Sequence, residues 1–197
     1  MSTQTRKYEL KARAEKQRET RDRIAAAAAQ LHWEVGVAQT TVADIARRAG
    51  VQRLTVYNHF ADLSELLPAC TAHFRQEHPR PDVSAALGLE DPTKRVRAVL
   101  EAFYGWYRET KPMMLNVHGE RGTVPELDEW MKQSTDAPLG ELAGTLAAGF
   151  GARGKRAVRL RALIAVALQF WTWNRLEREG LDTAEAARLM AAMVASA

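Results

Sequence analysis

Gly50 stands between two short helical patterns, and what it allows constrains this chain more than any other residue. Before it, "TTVADIARRA" opens with Thr41 and Asp44 at capping-box spacing, which predicts a helix start at Thr41. Val42, Ile45, Ala46 and Ala49 form the inward stripe of that helix. After it, "QRLTVYNHF" puts only Val56 and Phe60 on a common inward side when the chain turns about 100° per residue. Leu54 and Asn58 then face outward, Thr55 and Tyr57 flank them, and Arg53 lies in the first turn. Glycine supplies the backbone freedom that a sharp turn between the two helices needs. A helix docked through so few residues, carrying Gln52, Arg53, Thr55, Tyr57, Asn58 and His59, offers its hydrogen-bonding groups to something outside. That is helix-turn-helix logic, in which the second helix enters the DNA major groove. On spacing alone, an ordinary short helix with a solvated polar face fits as well.

The rest of the chain also reads as helix, without a convincing run of period-two alternation. Helices are predicted over 17–35, with Ile24, Ala28, Leu31 and Val35 inward and Gly36 as the stop, and from Asp62 onward with Pro68 as an internal kink. Residues 78–93 hold three prolines and a glycine and read as a linker. Further helices are expected over roughly 92–110, 111–118, 124–133, 136–148, 153–179 and 182–195. The class is all-α.

Charge is placed unevenly along the chain. Residues 1–60 hold 11 Lys/Arg against 6 Asp/Glu, while residues 61–197 hold 17 against 18. A basic first third on a near-neutral remainder suits an anionic partner at one end, although a solvated basic helix has the same composition. The lone Cys70 allows no intrachain disulfide and suggests no Cys-based metal site; it reads as a small buried apolar residue. The polar N-terminus lacks the apolar core of a signal peptide, and the apolar run 162–170 is too short to span a bilayer. A soluble protein of the reducing cytoplasm, with no membrane partner, is expected.

Residues 40–67, "TTVADIARRAGVQRLTVYNHFADLSELL", resemble the N-terminal signature of the tetracycline-repressor (TetR) family. The matching parts are "TTVADIARRAGV", Thr55, "VYNHF" and Glu65-Leu66-Leu67, and the likeness extends over about 18–74. It implies a three-helix helix-turn-helix DNA-binding domain over 1–74, and a helical ligand-binding and dimerisation domain over 75–197. It also implies a homodimeric transcriptional regulator, usually a repressor released by a small molecule, on a near-palindromic operator. The DNA contacts expected are Thr41, Gln52, Arg53, Leu54, Thr55, Tyr57, Asn58 and His59. Three departures stand out: Gln52 replaces the usual serine cap, Leu54 replaces a small residue, and Leu63 replaces a phosphate-binding lysine. The basic arm Arg6, Lys7, Lys11, Arg13, Lys16 and Arg18 can compensate for the last.

In the second half, "RALIAVALQFWTWNRL" from Arg161 is apolar on nearly all sides and needs cover on two faces, one of them from a second chain. Ala162, Ala165 and Ala167 would permit close approach, and Ala187, Met190, Met193 and Val194 add a second stripe, so a symmetric dimer interface within 153–195 is expected. Phe103, Trp106, Tyr107, Met114, Trp130, Phe170 and Trp173 form soft or aromatic stripes, more often core than pocket. The resemblance implies that some line a cavity for an apolar effector, with His118, and Glu120 near it, as polar contacts. A surface-loop histidine is an equal reading of His118. "GFGARGKR", Gly149–Arg156, matches a phosphate-loop pattern, but "ELAGTLAA" before it reads as helix where a strand is required. No catalytic residues, metal site or cofactor are expected. The alternative function is a DNA-binding structural or adaptor protein without an effector.

Overall fold

The computed structural model describes the backbone of residues 3–197 and the side chains of Tyr8 and residues 10–197. Arg6 and Lys7 of the expected basic arm lie outside the described side chains. Among the described residues every regular element is helical. The chain divides into two compact units, and neither is a continuous stretch. One contains the chain up to Pro79 together with Leu115–Trp130; the other contains Arg80–Met114 and Met131–Ala197. Two contiguous blocks meeting at 74/75 therefore do not describe the folding units.

The first unit is built on α1, Thr3–Val35, which begins well before the expected residue 17. Ile24, Ala28 and Leu31 are buried as their spacing requires, and α1 packs against α2, Val42–Ala49, and α4, Leu63–Glu77. Val35 is exposed, because it is the last helical residue and Gly36 turns the chain away there at φ +90°. On α4, Leu66, Leu67, Cys70 and Phe74 face the core, with Pro68 inside the helix. Asp62 accepts from the Glu65 amide at 3.1 Å and so caps the first turn. Cys70 is buried as expected; its thiol donates to the Leu67 carbonyl at 3.3 Å, and burial pushes its pKa up to about 12. It is therefore an inert thiol. Beyond α5, Ser84–Leu87, and α6, Pro92–Glu109, of the second unit, the chain returns through α7, Lys111–Glu120. The change of unit falls inside α7, between Met114 and Leu115. α8, Pro125–Met131, follows.

In the second unit Asp91 caps α6 by accepting from the Thr93 and Lys94 amides at 2.8 and 3.0 Å, with Pro92 at the first helical position. A short π-helical segment, Lys132–Asp136, leads into α9, Ala137–Ala148, and α10 runs Gly154–Ala167. α11, Phe170–Arg178, and α12, Thr183–Ala195, complete it, and α12 lies against α6. The helix expected over 153–179 is thus two helices. At the break side chains donate to three carbonyls, of which that of Val166 also receives the Gln169 amide at 3.1 Å. Tyr104 donates to the Ala167 carbonyl at 2.8 Å, Tyr107 to Leu168 at 2.7 Å and Thr172 to Val166 at 2.6 Å. A buried carbonyl without a donor is costly, so the two tyrosines stabilise the break as much as they fill the core. Burial raises both phenol pKa values, so both remain protonated donors.

Candidate nucleic-acid interface

Two local devices position α3, Arg53–His59. Thr41 caps α2 by accepting from the Asp44 amide at 3.2 Å, while its hydroxyl donates to the Asp44 carboxylate at 2.5 Å. The Thr41 hydroxyl bond, with Arg47 nearby, holds the Asp44 carboxyl below the usual carboxylate range. At the other end of α2, Gly50 takes φ +66°. Its amide donates to Arg47 and the Val51 amide to Ala46 at 2.9 Å, the paired bonds that close a helix through a left-handed glycine. The chain then re-enters helix at once. The Gln52 carbonyl accepts from the Thr55 and Val56 amides, and its side chain makes no capping bond.

α3 seats itself as its spacing demands. Val56 and Phe60 are each 3% exposed, whereas Leu54 is 67% and Tyr57 55% exposed. Gln52, Arg53 and Asn58 are also exposed, while Thr55 and His59 are half-buried at the flanks. Seven residues cannot hold a helix by propensity alone, and a cation outside the motif assists. Arg21 of α1 donates to the His59 carbonyl at the C-terminal end of α3, and its guanidinium lies 4.0 Å from the centroid of the Phe60 ring. A second link joins α1 to α2: Arg48 grips Glu34 through two bonds of 2.6 and 2.7 Å. The expected contact list contains neither cation. Arg21 stands only three residues before Ile24 in a basic stretch, and nothing in its spacing identifies the helix it reaches.

The residues expected to bind an effector do not form one group. Phe103, Tyr107, Phe170 and Trp173 form a buried cluster in the second unit, with ring centroids 5.6–6.1 Å apart and Trp106 against Tyr107 at 5.6 Å. Met114 is buried in the same unit. His118 and Trp130 fall in the other unit, because α7 carries Met114 and His118 to opposite sides of the division. Trp130 is anchored there by its indole N–H, which donates to Thr71 of α4 at 3.0 Å. Glu120 is also engaged in the first unit, accepting from the Val37 and Ala38 amides at 2.6 and 3.1 Å. A cleft of about 120 Å³ in that unit is lined by Ala29, Gln30, Trp33, Glu34, His73, Phe74, Glu77 and His78, none of them an expected effector contact. The glycine-rich "GFGARGKR" joins helix α9 to helix α10, so the strand that a phosphate loop requires does not precede it. Among the described residues no group of three or more His, Cys, Asp or Glu could hold a metal ion, and no helix is long and apolar enough to cross a membrane.

A capped helix, a left-handed glycine and a short outward-facing second helix define a helix-turn-helix domain of the DNA-binding class. Residues 24–70 match the family model described as bacterial regulatory proteins, tetR family. The chain is 42% identical over 64 residues to the HTH-type transcriptional regulator TtgR of Pseudomonas putida, covering 32% of this chain and 30% of that one. It is 42% identical over 74 residues to TtgW of the same organism, covering 37% and 54%. The likeness to these relatives therefore spans about a third to a half of their length. Solved structures share the fold along nearly the whole chain. A TetR-like regulator from Rhodococcus sp. RHA1 has a TM-score of 0.61 at 19% identity, covering 89% of this chain and 93% of that one. NalD, a repressor of the MexAB-OprM efflux pump in Pseudomonas aeruginosa, has 0.59 at 21% identity, covering 92% and 96%. AibR, in complex with isovaleryl coenzyme A and operator DNA, has 0.58 at 18% identity, covering 88% and 97%.

Proposed function

We propose that the protein is a sequence-specific DNA-binding transcriptional regulator, a repressor that a small apolar or aromatic ligand releases from its operator. The observation that carries the DNA-binding reading is α3, held by Val56 and Phe60 and turning Arg53, Leu54, Tyr57 and Asn58 outward behind a Gly50 turn. Arg53 can pair with guanine O6 and N7, and Leu54 matches the thymine methyl, the apolar feature of the major groove. Thr41, Tyr57 and His59 suit phosphates, which fix register. Gln52, Thr55 and Asn58 complete the set. Lys11, Arg13, Lys16 and Arg18, all exposed on α1, add counter-charge for the DNA backbone.

The homodimer reading is supported by an uncovered apolar face in the second unit. Val158, Ala162 and Val166 of α10, Trp171 of α11 and Leu189 and Met193 of α12 are exposed. Ala167, Ala187, Met190 and Val194, expected in the interface, are instead buried within the protomer. A two-fold dimer of a helix-turn-helix protein pairs naturally with a near-palindromic operator. The effector reading draws on Phe103, Trp106, Tyr107, Met114, Phe170 and Trp173 as apolar lining, and on AibR, whose structure holds both a coenzyme A ester and operator DNA. The mutual packing of these rings favours a second reading, a DNA-binding adaptor without an effector. A regulator of DNA with one buried thiol suits the cytoplasm.

Selection from a random duplex pool tests the function. The DNA-binding reading expects an enriched near-palindrome, and a pool without enrichment would end it. Repeating the selection with metabolite extract separates the two readings, since only the first expects the enriched site to be lost.

A further inference from the structure

Two side chains of α7 close the end of α1. Asn116 donates from Nδ2 to the His32 and Trp33 carbonyls at 2.8 and 3.0 Å, the former also receiving the Gly36 amide at 3.2 Å, so it reinforces the acceptors at the helix end. One turn later on the same face, Glu120 Oε2 receives the Val37 and Ala38 amides at 2.6 and 3.1 Å. Successive amides converging on one oxygen form an anion-binding concavity, and here the protein's own carboxylate occupies it. Gly36 makes this possible twice over. Its φ of +90° is one that other residues rarely adopt, and a Cβ there would collide with Glu120 Oε1. The carboxylate therefore rests against bare backbone at the turn from which α2 departs. Thr40 tightens the same turn by donating to the Gly36 carbonyl at 2.6 Å.

We propose that Glu120 is a positioning residue for DNA recognition: it sets the α1–α2 turn, and thereby the pitch at which the helix-turn-helix is presented. This rests on the DNA-binding and homodimer readings above. Glu120 touches no base, so it leaves α3 and its preferences intact. It acts on where each α3 stands, which a dimer reads as the spacing between half-sites. Met113 and Met114 of the second unit lie on the same helix, α7, which runs unbroken from them to Glu120, and Glu120 meets the turn through its two hydrogen bonds.

The test uses the full-length chain and the duplex enriched by the wild-type protein, with spacers lengthened or shortened by one and two base pairs. Glu120→Ala should weaken binding to the best spacer about tenfold, the scale of a lost charge-assisted hydrogen bond. It should lose less on the altered spacers, so that spacer discrimination falls while the half-site logo stays unchanged. Glu120→Gln keeps an acceptor oxygen in place and should recover most of the discrimination. Gly36→Ala should lose the same spacer discrimination, with a lower melting temperature from the strain of alanine at φ +90°, and the double variant should discriminate no worse than Gly36→Ala, since both break the same contact. Wild-type spacer preference in Glu120→Ala, or an equal loss on every spacer accompanying a lower melting temperature, would overturn the proposal. Failure of the wild-type protein to enrich any duplex would overturn the DNA-binding reading and this inference with it.

Discussion

Arg21 sits over Phe60 at 4.0 Å and donates to the carbonyl of the residue before it, His59. A cation at the C-terminal end of a helix is favoured by the helix dipole and by the acceptors left open there. α3 has only seven residues, so this one side chain from α1 is a large share of what fixes its far end. Arg21→Ala is expected to destabilise the first unit by about 1–2 kcal/mol. It should weaken binding to every DNA sequence by a similar factor. Chemical denaturation and titration of matched and mismatched duplexes check this; a change confined to one base position would show that Arg21 reads sequence instead.

Reading and positioning should separate on mutation. Arg53→Ala is expected to cost about 1–3 kcal/mol and to relax one base pair in each half-site, and Leu54→Ala to relax a thymine. Tyr57→Phe should weaken all sequences alike, because a phosphate contact carries no base information. Selection repeated on the three variants decides it: an altered logo for Tyr57→Phe, or unaltered logos for the other two, would reverse the assignment.

Burial lowers the His32 pKa from 6.5 to about 4. The folded imidazole is harder to protonate than the unfolded one, so the unfolded state takes up the proton first as pH falls. The stability that depends on neutral His32 is complete above about pH 6.5 and is lost progressively toward pH 4, by about 3 kcal/mol. His32→Leu should remove that part of the acid slope. Denaturant midpoints between pH 7 and pH 4 measure it, and equal slopes for the two proteins would contradict the prediction.

Tyr107→Phe removes the hydroxyl that donates to Leu168 and leaves a buried carbonyl without it. The expected cost is about 1–3 kcal/mol, far more than the change in ring polarity would suggest. Tyr104→Phe should behave in the same way through Ala167. Melting temperatures at neutral pH check both, with wild-type values indicating that the α10–α11 break is held by packing alone.

Val166 is 52% exposed on α10, so Val166→Glu should leave the protomer folded. On the expected two-fold interface it would bury a charge in each subunit and separate the dimer. Sedimentation at micromolar concentration should then show a dimer for the wild-type chain and a monomer for the variant. A wild-type monomer would refute the interface.

The α2–turn–α3 unit was legible in the sequence because its determinants are local. Thr41, Gly50, Val56 and Phe60 act within twenty residues, through a cap, a left-handed turn and a periodicity that neighbouring residues spell out. Helical class, the buried Cys70 and the cap at Asp62 follow from the same short-range physics. Which residues would stand together across long stretches of chain was not legible. Val37 meets Glu120 across 83 positions, Tyr107 meets Leu168 across 61, and Arg21 reaches His59 across 38. "RALIAVALQFWTW" has the propensity for one unbroken helix, and the tyrosine hydroxyls of α6 stabilise the buried carbonyls at the break between α10 and α11. Glu120 has the polarity of a ligand contact; its engagement with the α1–α2 turn was decided by where α7 runs. Local propensity and capping act between residues a turn or two apart, whereas these contacts depend on which helix faces meet, and that is settled only when the whole apolar surface is buried at once.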